Sequence, residues 1–422
     1  MRGLGSTTAR LARYRKTWET MAAATAQGAG GAAHAPNHLD EVTGFGSNPG
    51  ALRLFLHVPE RPAPRPALVV VLHGCTQDAA SYDRGAGWSQ LADRHGFIAL
   101  FPEQPAANNP RTCFNWFQPG DTARGRGEAL SIRQMVEHVA VAHGVDRARI
   151  FVTGLSAGGA MTAVMLAAYP DVFAGGAIVA GLPYGVAHNV QEALDAMFQG
   201  GTRPAAEWGD RVRAASRHRG PWPKVSVWHG GADATVKPVN ADEIVKQWTN
   251  VHGLPEKPSL EESVDGYPRR VWHGPGGEAL VESYTITGMA HGTPLGLGAA
   301  EAVGAAGPFL LDVGISSTQR IAAFWGLTAE IAAGAPTRDA RPQPVVDTPA
   351  RDARAEPSRA RPAGAPSTPP RIRVLEGEVL PPEGQGRGDR TATPDEETAP
   401  RGALDPGRVI TEALKAAGLM RR

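Results

Sequence analysis

Ile150-Phe-Val-Thr-Gly-Leu-Ser-Ala-Gly-Gly159 decides the fold of this chain. Its first four residues are apolar or β-branched, the composition of a strand buried on both faces. The residues after Ser156, Ala157-Gly-Gly-Ala-Met-Thr-Ala-Val-Met-Leu166, read as a helix running on to Tyr169. Between strand and helix stands Gly154-x-Ser156-x-Gly158. A turn this sharp puts the serine in a strained backbone conformation, and small residues two before and two after it let neighbouring backbone pass close. The hydroxyl is then exposed beside a helix N-terminus, where developing negative charge is favoured. Ser156 is therefore the candidate nucleophile. The plainer alternative is a glycine-rich turn with a helix-capping serine.

Outward from this turn, strand and helix patterns alternate between residues 50 and 327. Strands are expected over 52–58 (an edge strand), 67–72, 97–101, 150–153, 176–179, 225–228 and 282–287. Helices are expected over 128–144, 157–169, 241–252 and 317–326. Such alternation predicts an α/β fold with a mostly parallel, doubly wound sheet covered on both faces. Ligands of such sheets bind beyond the carboxyl ends of the strands, so the residues just past each strand are the ones to inspect.

A serine at neutral pH needs a base, and the base needs an orienting acid. After the strand at 225–228 comes His229-Gly-Gly-Ala-Asp233, and after the strand at 282–287 comes Gly288-Met-Ala-His291-Gly-Thr-Pro294. The chain order serine, acid, histidine selects Asp233 and His291. Asp233 could instead be an ordinary turn aspartate. His229 and His273 compete for the role of base, but His229 precedes the acid and His273 precedes the last strand. An oxyanion hole would combine the N–H after the nucleophile, Ala157, with one from Leu72-His-Gly-Cys-Thr-Gln77. Cys75 is the expected donor, with His73 and Gly74 shaping the turn. Trp116 and Phe117, in the aromatic loop Arg111-Thr-Cys-Phe-Asn-Trp-Phe117, are candidates to line a substrate pocket or to pack in the core. His73 is placed with them as a candidate substrate contact.

Composition sets the outer limits. The chain has 422 residues, 43 basic against 42 acidic, and a formal charge of +1, so bulk charge does not point to nucleic acid. No run approaches the ~20 apolar residues of a membrane helix. Two cysteines, Cys75 and Cys113, exclude a disulfide framework and a four-cysteine zinc site. They lie in two loops expected near one site and could pair, or remain thiols in a reducing compartment. Every aromatic residue lies at or before Trp325. The expected division is an N-terminal extension over 1–47 with an amphipathic helix, a catalytic domain over 48–328, a disordered Pro/Ala/Arg-rich linker over 334–404, and a short amphipathic helix over 405–422. That last helix could contact a polymer surface or a protein, or simply be a solvated tail. No ordinary secretory signal is apparent, which by sequence favours the cytoplasm.

With these motifs in place, the chain resembles the poly(3-hydroxybutyrate) depolymerase family of esterases, α/β-hydrolases related to feruloyl and acetylxylan esterases. The resemblance rests on Leu72-His-Gly-Cys-Thr-Gln77, Cys113-Phe-Asn-Trp-Phe117, Gly154-Leu-Ser-Ala-Gly-Gly-Ala-Met-Thr-Ala-Val-Met165, Tyr169-Pro-Asp-Val-Phe173, Ala180-Gly-Leu-Pro-Tyr184, His229-Gly-Gly-Ala-Asp233 and His291-Gly-Thr-Pro294. It covers about residues 50–327. It implies Ser156, Asp233 and His291 as a catalytic triad and proximity of Cys75 to Cys113, which favours the disulfide. It also implies hydrolysis of short 3-hydroxyalkanoate esters, as oligomers or polymer, through an acyl-enzyme without metal or organic cofactor. Members of the family are often extracellular. The competing expectations are a carbohydrate esterase or peptidase using the same triad, and a granule-associated binding protein with incidental turnover.

Overall fold

The computed structural model describes residues 38–328. The predicted helices near either terminus and the Pro/Ala/Arg-rich linker lie outside the described residues. Ten strands form one sheet: β1 (Asp40–Val42), β2 (Arg53–His57), β3 (Leu68–Leu72), β4 (Ile98–Glu103), β5 (Ile150–Leu155), β6 (Gly175–Val179), β7 (Lys224–Gly230), β8 (Leu260–Val264), β9 (Tyr267–His273) and β10 (Ala279–Ile286), in the order β1-β2-β4-β3-β5-β6-β7-β10-β9-β8. The six central strands, β4 to β10 in that order, are mutually parallel. β1 and β2 on one side and β9 and β8 on the other are antiparallel additions.

Alternation along the strands builds two cores. Leu68, Val70 and Leu72 of β3 join one apolar cluster, and Val69 and Val71 join the other. Side chains of a strand point to opposite faces in turn, so both faces must be covered. Helices α1 (Ala79–Ala86), α2 (Trp88–His95), α3 (Pro119–Thr122), α4 (Gly127–His143), α5 (Ala157–Ala168), α6 (Val190–Gln199), α7 (Ala205–Ala214), α8 (Val239–His252) and α9 (Ser317–Phe324) pack around the sheet. Every residue of α5 is buried, which accounts for its Gly, Ala and Met content. Two short strands, β11 (Thr293–Leu295) and β12 (Leu310–Asp312), pair separately. Among the described residues no helix is long and apolar enough to cross a membrane.

One expectation needs correction, and several elements go beyond those expected. β2 is not an edge strand: Asp40–Val42, assigned by sequence to the N-terminal extension, pairs outside it with Asp40 opposite Leu56. His38 anchors the start of that segment through Asp83 at 2.6 Å. The β8–β9 hairpin was not anticipated, although its turn, Asp265-Gly266, has φ 51° and 86°. Two successive positive φ values make the tight turn that Asp-Gly favours. The long passage between β6 and β7 also carries two helices, α6 and α7, beyond those expected from sequence.

Candidate active site

The carboxyl ends of β3, β5, β7 and β10 share one edge of the sheet, and the candidate residues follow each of them. Ser156 caps α5 with φ 58° and ψ −113°, a left-handed conformation costly for a residue with a Cβ. It is held from both sides: its N–H donates to Val179 O at 2.9 Å and its carbonyl accepts from Ala160 N at 2.8 Å. Gly158 shows why this turn needs glycine. A Cβ there would lie 2.2 Å from Leu72 O and 2.6 Å from His73 O. The start of α5 thus lies against the end of β3, which brings Ala157 beside the His73–Cys75 turn.

The loops after β7 and β10 are fastened together. Gly231 N donates to Ile286 O at 2.9 Å, and Ala232 N donates to Met289 O at 3.0 Å. A Cβ on Gly230 would meet Met289 O at 2.4 Å, so only glycine allows this approach. The result is a buried hydrogen bond: His291 Nδ1 lies 2.7 Å from Asp233 Oδ2. Asp233 Oδ1 accepts from Thr235 N at 2.8 Å and Val236 N at 2.9 Å, which fixes the carboxylate plane. Burial acts to raise this carboxyl, but the charge of His291 and hydrogen bonds from His229 and His291 outweigh it and hold it well below the usual carboxylate range. The remaining ring nitrogen, His291 Nε2, is buried without a protein hydrogen-bond partner, so no hydrogen bond joins it to Ser156. Bonds of this kind commonly close only with substrate in place. Beyond His291 the chain continues to Thr293, whose Oγ1 lies 3.3 Å from Tyr82 Oη in α1. The histidine loop therefore spans from β10 to the helix that follows β3, and β5, which ends at the serine, lies between those two strands in the sheet. His229, the competing base, has Nε2 at 2.8 Å from Val236 O and 3.4 Å from Asp233 Oδ2. It braces the acid's turn.

Cys75 and Cys113 form a disulfide, with Cα atoms 4.3 Å apart. Thr76 N donates to Arg111 O at 2.7 Å and Thr112 Oγ1 donates to Gln77 O at 3.0 Å, so the two loops are bound on either side of the bridge. A cavity of ≈ 60 Å³ opens at the serine. Its lining includes Ser156, Ala157, Cys75, Cys113, Trp116 and Phe117. His73 is not part of that lining. Its ring is buried, with Nδ1 2.8 Å from Gly74 O, while Nε2 accepts from Gln104 N at 3.1 Å. Burial pulls its pKa down to about 4. The expected substrate contact is therefore corrected to an internal clamp on the turn: both nitrogens are engaged by the protein. One part of the cavity wall has no counterpart among the sequence motifs. Val190, Ala193, Leu194 and Met197 line it from α6, and their i, i+3, i+4, i+7 spacing behind the capping Asn189 was the available signal.

The family model described as esterase PHB depolymerase matches residues 52–259. The chain is 48% identical to poly(3-hydroxyalkanoate) depolymerase C of Paucimonas lemoignei over 291 residues, 68% of this chain and 70% of that protein. It is 36% identical to an acetylxylan esterase of Coprinopsis cinerea over 265 residues, 61% of this chain and 69% of that one. Among solved structures, an acetyl xylan esterase from Aspergillus awamori superposes with a TM-score of 0.58 at 26% identity, covering 69% of this chain and 99% of that chain.

Proposed function

The chain belongs to the PHB depolymerase family of esterases and is a carboxylic ester hydrolase; from that premise we propose that it cleaves short-chain 3-hydroxyalkanoate esters, in oligomers or polymer, through a serine acyl-enzyme. Ser156 attacks the ester carbonyl carbon. His291 Nε2 takes the hydroxyl proton and passes it to the departing alcohol. Asp233 holds the ring with Nδ1–H toward itself and stabilises the imidazolium. The N–H groups of Ala157 and Cys75 receive the oxyanion. Water then attacks the acyl-enzyme by the same relay in reverse, releasing the acid and restoring Ser156. The observation that supports the reading is the buried His291–Asp233 hydrogen bond at 2.7 Å between the loops that follow β10 and β7, together with the positive φ of Ser156 at the end of β5. The small, mostly apolar cavity suits a short acyl group rather than a long one.

Hydrolysis of 3-hydroxybutyrate oligomers, acetylated xylan, feruloylated sugars and p-nitrophenyl butyrate by wild type and Ser156→Ala tests both parts. Hydroxybutyrate oligomers should be cleaved readily, and Ser156→Ala should lose on the order of 10⁴-fold or more in kcat. Efficient turnover of feruloyl or acetyl sugars with none on the oligomers would overturn the substrate. A Ser156→Ala protein of near-normal rate would overturn the nucleophile.

A further inference from the structure

Glu128, at the start of α4, is a carboxyl group that is only 1% exposed. Burial, and next the charge of Asp121, push its carboxyl up to about 8, against the pull of hydrogen bonds from Asn115 and Gln104. A buried ionisable group is destabilising unless its surroundings use it, and here three donors converge on it. Gln104 Nε2 and Asn115 Nδ2 both donate to Oε1, and Asn115 N donates to Oε2 at 2.8 Å.

Two chains of contacts lead from this carboxyl to one place. The first runs through Gln104, which follows β4. Glu128 fixes its side-chain amide, and its backbone N–H donates to His73 Nε2. With Nε2 accepting, His73 carries its proton on Nδ1 and gives it to Gly74 O, the carbonyl of the peptide that contains the Cys75 N–H. The second runs through Asn115, held by both its backbone and its side chain. Two residues before it is Cys113, whose carbonyl accepts from Gln104 Nε2 at 3.1 Å and whose sulfur is bonded to Cys75. Both routes end on the peptide that precedes Cys75 or on Cys75 itself.

We infer that Glu128 is a positioning residue for the oxyanion hole: through Gln104–His73 on one side and Asn115–Cys113 on the other it sets where the Cys75 N–H points. The inference rests on the oxyanion role proposed for Cys75. Glu128 touches no substrate. It fixes a donor whose value lies in being aimed beforehand at a charge that exists only in the transition state. Loss of this aim therefore lowers kcat more than it raises KM. The isosteric Glu128→Gln keeps the shape but presents an NH₂ to donors on one side, and Gln104→Met removes the amide that ties Glu128 to Gln104 and to Cys113 O, while the Gln104 backbone N–H to His73 and the bonds of Asn115 to Glu128 remain.

The experiment measures kcat and KM on p-nitrophenyl butyrate, inhibition by a butyl boronic acid that becomes tetrahedral on serine, and thermal unfolding, for wild type, both variants and the double variant. The expected result is a kcat lower by about 10-fold or more in each single variant, with KM within about twofold. Boronate affinity should fall in parallel with kcat/KM, and the double variant should cost no more than about the worse single one, since both lie on one path. If kcat stays within twofold of wild type in both, or KM rises with kcat unchanged, the inference is overturned whatever happens to the melting temperature. Should Glu128→Gln fail to fold, Gln104→Met decides by the same readouts. A wild type inactive on the ester would instead overturn the esterase mechanism itself, so the two failures are distinguishable.

Discussion

His73 shows how the role of one side chain can be misplaced by a local motif. The motif His73-Gly74-Cys75 puts a histidine beside the expected oxyanion donor, and proximity along the chain makes it a tempting substrate contact. Its environment decides otherwise: a fully buried ring with one nitrogen donating and the other accepting is neutral by construction. With the folded pKa at about 4 and an unfolded value near 6.5, the unfolded chain binds the extra proton between those two pH values. The stabilisation is therefore complete above about 6.5 and is lost as pH falls through about 4. Urea unfolding of wild type and His73→Asn should show wild type more stable at pH 7, with the gap narrowing by about 2 kcal/mol at pH 4.5. A gap independent of pH would mean that the ring is not held neutral. The pairing of Asp233 with His291 was legible for a different reason. Chain order and position after a strand are properties of the topology, whereas the direction a ring faces depends on partners such as Gln104 that no local motif announces.

At the scale of elements, the elbow depends on a close approach of backbones. Gly158→Ala would drive a methyl into Leu72 O and His73 O, neither of which can move without displacing β3. Overpacking of this kind costs about 2–3 kcal/mol, so the melting temperature should fall by roughly 5–10 °C. Gly120→Ala, where no atom lies within 4 Å of the new Cβ, should leave it unchanged and serves as the control. Equal behaviour of the two variants would refute the packing account. The central strands were readable because parallel strands buried on both faces are continuous apolar runs, as in Leu68–Leu72. The antiparallel hairpin β8–β9 was not, because Leu260-Glu-Glu-Ser-Val264 is largely exposed and lacks that signature. Its Asp-Gly turn was the stronger cue. Helix α6 was legible in principle, since Val190, Ala193, Leu194 and Met197 keep helical spacing behind the capping Asn189.

For the molecule as a whole, the Cys75–Cys113 bridge closes a span of 38 residues that contains α1, α2 and β4. Loop closure on this scale is worth about 4 kcal/mol. The double variant Cys75→Ser/Cys113→Ser should therefore melt lower and also lose kcat, because the turn and the aromatic wall come apart together. Heat denaturation and p-nitrophenyl butyrate kinetics check both, and full activity in the double variant would show that the hydrogen bonds of Thr76 and Thr112 hold the loops unaided. The narrow chamber beside Ser156 has a consequence of its own for a chain-like substrate. With Trp116 and Met197 in its lining, it limits the acyl fragment that can be retained on the serine between the two chemical steps.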